Sequence, residues 1–318
     1  MQFALTTRWN AGRHTDGTAM IDEILDLGFD CVELGYDTRL DLVPGVRNRV
    51  EQGAVRVHSV HNYCPVPMTT HHAHPELFTF GHKDRHIRKL AVRHTAETIR
   101  FAADIGARVV VCHCGNIDMT RYSEPLIELI AQGRQFTPPY EKLKLKLQDK
   151  REKKARKQLA YWYECLEQLL PVLDENRIQL AMENLPTWES IPTETEIETA
   201  LNRFQSPWLK YWHDMGHGQI REAMGLINVH KWLERLEPML AGLHVHDFLP
   251  PACDHVMPPR GEMDFSRYKR VANRTIERVI EPTPQTPPEE IREALSFLQT
   301  CWGPEEQTTN HQEEEREG

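Results

Sequence analysis

The stretch V-V-V-C-H-C-G (109–115) is a short β-branched run that ends on a histidine, and it has five counterparts in the chain. They are V-H-S-V-H-N-Y (57–63), L-A-M-E-N (180–184), W-H-D-M-G-H (212–217), L-H-V-H-D-F (243–248) and R-V-I-E (278–281). Each is a strand-length apolar segment that stops at His113, His61, Glu183, Asp214, His244 or Glu281. Strands buried on both faces read as continuous apolar runs, as in parallel sheets. Strands that all deliver carboxylates and imidazoles at the same end point to a metal site at the mouth of a parallel barrel.

Working outward, eight strands are expected at about 3–9, 31–36, 55–61, 108–114, 178–183, 209–214, 241–246 and 278–281. Helical periodicity fills the spaces between them. Thr18 to Leu27 is amphipathic and stops at Gly28. His82 to Ile105 carries Leu90, Ala91, Ala96, Ile99 and Ala102 on one stripe before Gly106. Leu126 to Gln132, Tyr140 to Asp174, Thr195 to Asn202, Ile220 to Met224, Val229 to Leu236 and Pro288 to Gln299 follow. Eight alternating strand–helix units predict one (β/α)8 TIM barrel domain over 1–302. A doubly wound open sheet is the competing topology, but it offers a single switch point rather than ligands from most strands.

The fourth connection is longer than the others. Residues 141–157 hold nine Lys/Arg against three acids and read as a long basic helical insertion after strand four. It is expected to be a solvated helix on the rim, with a phosphate-binding patch as the sharper alternative. The chain has 318 residues, 40% hydrophobic content and a net charge of −9. Residues 303–318 hold six Glu and one Arg without apolar periodicity and are expected to be a disordered acidic tail. The remaining body carries only about −4, so a nucleic-acid partner is not expected. Seven cysteines lack disulfide-scaffold spacing, and no run approaches the ~18 apolar residues of a membrane span. A reducing, cytoplasmic setting is the expectation. No glycine-rich nucleotide fingerprint is present.

A lone histidine at a strand end is ordinarily a hydrogen-bonded core residue. A converging cluster of carboxylates and imidazoles is different, because burying it is costly without a compensating cation. Glu183, Asp214, His244 and Glu281 make an oxygen-rich set with one imidazole, suited to Mn, Mg, Co or Zn. His217, three residues after Asp214, is placed to reach substrate or a second metal. His61, His113 and His255 would add a nitrogen-rich subsite for a further ion.

In this order, V-E-L (32–34), H-N-Y (61–63), I-G-A-R-V-V-V-C-H-C-G (105–115), M-E-N (182–184), H-D-M-G-H (213–217), H-V-H-D (244–247) and H-V-M-P-P-R-G-E-M-D-F (255–265) resemble the xylose isomerase-like TIM barrel superfamily. That group joins sugar and sugar-phosphate isomerases and epimerases with endonuclease IV-like enzymes (AP endonuclease family 2). The resemblance covers roughly residues 1–300. It implies that Glu183, Asp214, His244 and Glu281 hold one metal, that Glu183 and Glu281 transfer the proton, and that His217 contacts a substrate oxygen. For the endonuclease-like members it implies a zinc cluster that adds His61, His113, His217, His255 and an Asp two residues before that last histidine. This chain has Cys253 at that Asp position, with Asp254 one place along.

The expected activity is therefore a divalent-metal-dependent sugar or sugar-phosphate isomerase or epimerase, moving a proton next to a carbonyl through an enediolate. The alternative that the resemblance implies is an endonuclease IV-like multi-zinc phosphoesterase or nuclease. The expected partner is a small-molecule sugar or sugar phosphate, and a homo-oligomer is compatible with the sequence. Arg260 is the expected grip for a phosphate or carboxylate. Glu33 and Trp188 are candidate substrate contacts, and Trp9, Tyr63 and Phe248 candidate apolar walls. His246 and Asp247 are expected to support His244. The run H-H-A-H (71–74) reads as a lid or as a chance histidine-rich loop.

Overall fold

The computed structural model describes residues 1–70 and 72–304. The strands are β1 (Ala4–Thr6), β2 (Cys31–Leu34), β3 (Arg56–His61), β4 (Val109–Cys112), β5 (Gln179–Glu183), β6 (Leu209–Asp214), β7 (Leu240–Val245), β8 (Asp247–Leu249), β9 (Cys253–Val256) and β10 (Glu277–Ile280). The helices are α1 (Gly17–Leu25), α2 (Val43–Glu51), α3 (Arg85–Asp104), α4 (Ser123–Ala131), α5 (Pro138–Asn176), α6 (Glu194–Phe204), α7 (Met215–Ala223), α8 (Val229–Leu236), α9 (Lys269–Ala272) and α10 (Pro288–Trp302). Eight strands close into a barrel in the order β1-β10-β7-β6-β5-β4-β3-β2, and every pair is parallel. The fold is the expected (β/α)8 barrel.

Its interior is small side chains packed around one large one. Ala4, Cys31, Val109, Val111, Ala181, Ala241 and Val279 surround Trp212 and are buried with it. Gly242 leaves room for that indole, since a Cβ there would lie 2.3 Å from its Cζ3 atom. A second and larger apolar layer lies between the strands and the helices and includes Ile99, Leu166, Leu169, Leu233 and Leu298. The caps are set by sequence. Asp84 accepts from the His86 amide at the start of α3, and Thr193 with Glu196 forms a reciprocal capping box on α6.

Three departures from the sequence reading have local causes. Helix α2 was not expected, because its V-P-G-V start offers turn residues and little apolar periodicity. The antiparallel hairpin β8–β9 was read as loop, being short and interrupted by Pro250-Pro251. The basic stretch 141–157 is helical and, as the expected helix from Tyr140 to Asp174 implied, not separate but the first half of the 39-residue α5. Its other half packs Trp162, Cys165, Leu166, Leu169 and Leu173 on the barrel. Nor is the basic half wholly solvated. Arg151 is buried, pairs with both carboxylate oxygens of Glu196, and donates to the carbonyls of Trp188 and Ser190. It ties α5 to the loop after β5. The cysteines in the described residues are all free thiols, and no helix there is long and apolar enough to cross a membrane. The acidic tail lies, apart from 303–304, outside the described residues, as does His71.

Candidate metal centre

All six strand-end residues converge on one mouth of the barrel. Glu183 is the hub. Its Oε2 lies 3.3 Å from His61 Nε2 and 3.3 Å from His113 Nε2, while its Oε1 lies 3.5 Å from His244 Nδ1 and 3.4 Å from His217 Nδ1. His244 Nδ1 also faces Asp214 Oδ2 at 3.7 Å and Glu281 Oε2 at 3.2 Å. Three groups of metal-ligand type result: His61, His113 and Glu183; Glu183, Asp214 and His244; and His217, Asp254 and His255. A fourth grouping, His246, His255 and Glu281, shares His255 with the third.

The histidines are held in the manner of ligands. His61 Nδ1 lies 3.0 Å from the Asn62 carbonyl, His217 Nδ1 3.0 Å from the Asn184 carbonyl and His255 Nδ1 3.1 Å from the Glu281 carbonyl. Each Nδ1–H can donate there, which leaves Nε2 as the lone-pair nitrogen facing the cavity. His244 is anchored the other way round. Its Nε2 lies 3.2 Å from Glu33 Oε1, and Ser59 donates to Glu33 Oε2 at 2.7 Å. His244 Nδ1 is left buried, with no hydrogen-bond partner, facing three carboxylates. An orphaned ring nitrogen amid carboxylate oxygens is what a divalent cation would satisfy, and a carboxylate behind a ligating imidazole is the usual support for it. The residues fit a metal.

The electrostatics give the same reading. Burial would raise the Glu183 carboxyl, yet His113 and His244 hold it well below the usual range. Asp214 is likewise held low, by His217 and His246 against burial. Burial opposes ionisation of Glu281 too, but His244, His255 and Arg8 bring it down to about 2. His217 is pushed up to about 9, as Asp214 and Glu183 outweigh its burial. The carboxylates are thus ionised in a dry site, and protonated imidazoles supply the positive charge that a bound cation would otherwise bring.

Local sequence explains the placement. Asp214 ends β6 and caps α7, its Oδ1 accepting from the His217 amide at 2.7 Å, so the D-M-G-H spacing itself turns His217 towards Glu183. Gly216 is required between them, because a Cβ there would fall 2.2 Å from the His246 ring. His246 in turn bonds Asp214 Oδ2 at 3.0 Å. Asp247 accepts from the amides of Phe248, Gly261 and Met263 and so shapes the loop beyond the hairpin.

Seven expected contacts lie elsewhere. Cys253 is exposed and belongs to none of the ligand groups, and Asp254 stands in its place, 3.6 Å from His217 Nε2. The cause is His255, whose φ of 51° breaks strand alternation. Regular alternation would have put 253 and 255 on one face. Arg260 points away from the mouth and pairs with Glu290 and Glu293 of α10. Trp188 stacks against Arg151 and Arg221 instead of facing the cavity. Glu33 is buried behind His244 and touches no cavity space. Trp9, Tyr63 and Phe248 are core residues.

The cavity itself is about 300 Å³ and brings in residues the sequence did not single out. Arg8 reaches from the β1 end to Glu281 Oε1 at 3.3 Å and lies over the Tyr36 ring. Tyr36 packs edge-on against His61. Glu76, Asn116 and Arg121 line the mouth, as does His74 of the histidine-rich loop. The only sequence signal for Tyr36 and Arg8 was their position just past a strand end.

The same architecture recurs among solved structures. An L-ribulose 3-epimerase superposes with a TM-score of 0.69 at 13% identity, covering 95% of each chain. A D-tagatose 3-epimerase-like protein gives 0.66 at 16% identity, over 95% of this chain and 97% of that one. A 3-keto-D-glucoside 4-epimerase from E. coli gives 0.65 at 14%, over 95% of this chain and all of that one. At such identities the likeness is one of fold. No curated protein matches in sequence. The sequence profile of one family does match, over residues 21–301, and with the closed barrel this places the chain in the xylose isomerase-like TIM barrel family.

Proposed function

We propose that the protein is a divalent-metal-dependent isomerase or epimerase of a small sugar or sugar phosphate. The observation that carries this reading is the pairing of Glu183 and Glu281. Their carboxylates approach His244 Nδ1 from strands three places apart around the barrel, and both border a cavity of about 300 Å³. That volume is at the small end for ligand sites and suits a single polar molecule. The structural neighbours named above are sugar epimerases, which agrees with it.

The metal would be held by Glu183, Asp214, His244 and Glu281, and it would polarise a substrate carbonyl and its neighbouring hydroxyl. The chain's own groups do the rest. Glu281 is kept ionised by His244, His255 and Arg8 and can accept a proton from the carbon next to the carbonyl. Glu183, on the other side and itself ionised at rest, can return one to the opposite face after taking a proton up from solvent, while Glu281 releases its own to solvent. His217, its ring oriented by the Asn184 carbonyl at Nδ1, is placed to bring Nε2 to a substrate oxygen. Tyr36 offers a ring wall, edge-on to His61.

A second reading, hydrolysis of a phosphoester, is favoured by one observation: Glu183 joins two histidine–carboxylate groups and His217, Asp254 and His255 form a third. Clustered ions generate hydroxide and clamp a leaving oxygen. Elemental analysis of protein purified without chelator separates the readings, alongside solvent deuterium uptake into candidate ketoses. One ion per chain with exchange at the carbon next to the carbonyl, lost in Glu281→Gln, supports the epimerase. Two or three ions with phosphoester cleavage and no exchange would replace it.

A further inference from the structure

A concavity larger than the one at the metal centre lies at the opposite mouth, where the strands begin. It measures about 970 Å³. Five cations line it, Arg108, Arg177, Lys210, Arg274 and Arg278, against two carboxylates, Glu237 and Glu277. The basin therefore has a surplus of three positive charges inside a chain whose net charge is −9.

The carboxylates are already committed. Glu237 pairs with Arg274 at 2.7 Å and with Arg270 at 2.6 Å. Glu277 pairs with His58 at 2.6 Å and only distantly, at 3.9 Å, with Arg108. Arg278 donates to the carbonyls of Ala272, Arg274 and Gln2, which satisfy its hydrogens without cancelling its charge. Among the described residues Arg177 and Lys210 have no carboxylate partner. Residues at this face of a barrel ordinarily serve stability. Unpaired cations gathered around one concavity do the opposite, since their mutual repulsion destabilises the fold until an anion relieves it.

We propose that this basin is a second binding site, for a small molecule carrying two or more phosphates. The cations are distributed over strand starts at β4, β5, β6 and β10, too widely for one phosphate to meet them all. The space lies at the upper end of ligand-cavity volumes. Arg108 and Arg177 are exposed and free to fold inward on a charged ligand, as guanidinium forks do on phosphate.

The test is calorimetric titration of pyrophosphate into the metal-loaded protein at low and at 0.5 M salt. Variants Lys210→Glu and Arg177→Asn are compared. Asparagine tolerates the left-handed backbone of position 177, so the second variant folds if the first does not. The expected result is one saturable site, weakened about tenfold or more by Lys210→Glu, less by Arg177→Asn, and strongly by salt. Pyrophosphate stripping metal at the other mouth would give heat that persists in Lys210→Glu and vanishes in Glu183→Gln. No saturable binding, heat of only that second kind, or equal affinity in both basin variants would overturn the proposal.

Discussion

Replacing Glu33 by Gln tests whether the centre is a metal site more sharply than removing a ligand would. Glu33 is fully buried and touches neither the cavity nor the group of facing carboxylates. It accepts from His244 Nε2 at 3.2 Å through one oxygen and from Ser59 Oγ at 2.7 Å through the other. Both partners are donors. An amide has only one oxygen, so in Glu33→Gln one donor faces an NH2 group and loses its acceptor. Leaving one buried donor unsatisfied costs about 1–3 kcal/mol of stability. If His244 Nδ1 ligates a metal, the loss also frees the ring to turn and lowers its basicity. Outer-shell losses of this kind cost about 10–100-fold in metal affinity, or about 1.4–2.7 kcal/mol. The assay is a metal titration against a competing chelator, with urea unfolding of the metal-free protein in parallel. Destabilisation together with metal affinity within twofold of the unaltered chain would refute the reasoning, for it would make Glu33 a structural partner of a core histidine.

Two further outcomes follow from the packing and the charges. Gly242→Ala places a Cβ 2.3 Å from Trp212 Cζ3 and 2.9 Å from the Glu277 carbonyl, with no slack among the small residues around the indole. We expect a loss of about 1–3 kcal/mol in urea unfolding, whereas Gly12→Ala, which meets nothing within 4 Å, should be neutral. Glu23 gives a pH dependence. Burial alone would raise its carboxyl, but hydrogen bonds from Arg13, His14 and Asn10 bring it from 4.5 to about 2. Its folded value is depressed, so its stabilisation is present above about pH 4.5 and is lost as pH falls towards 2. The group is partly exposed, which keeps the effect small. Glu23→Gln should flatten the decline of the urea midpoint across that window, and an unchanged slope would count against the pairing.

What could be read from the chain alone was whatever a one-dimensional pattern can hold. Strand period, helix stripes and breakers located the eight units, and β-strand direction put His61, His113, Glu183, Asp214, His244 and Glu281 at one end, because every strand of a parallel barrel points the same way. Even D-M-G-H carried its geometry, since a residue three places past an N-cap faces back to it. The tertiary structure decided what depends on partners far apart in sequence. Glu33 meets His244 across 211 residues and Arg8 meets Glu281 across 273, so which ring nitrogen is presented and which arginine guards the site have no local signature. Arg260 looked equally suitable until α10 supplied Glu290 and Glu293. Asp254 stands in place of Cys253 in a strand whose alternation is interrupted at the left-handed residue His255, opposite the register shift between Asp247 and Leu249. Residue types and strand ends thus named the side chains that gather at the candidate centre, while orientation, supporting charges and the basic basin at the far mouth came from packing, which brings side chains together without regard to their separation along the chain.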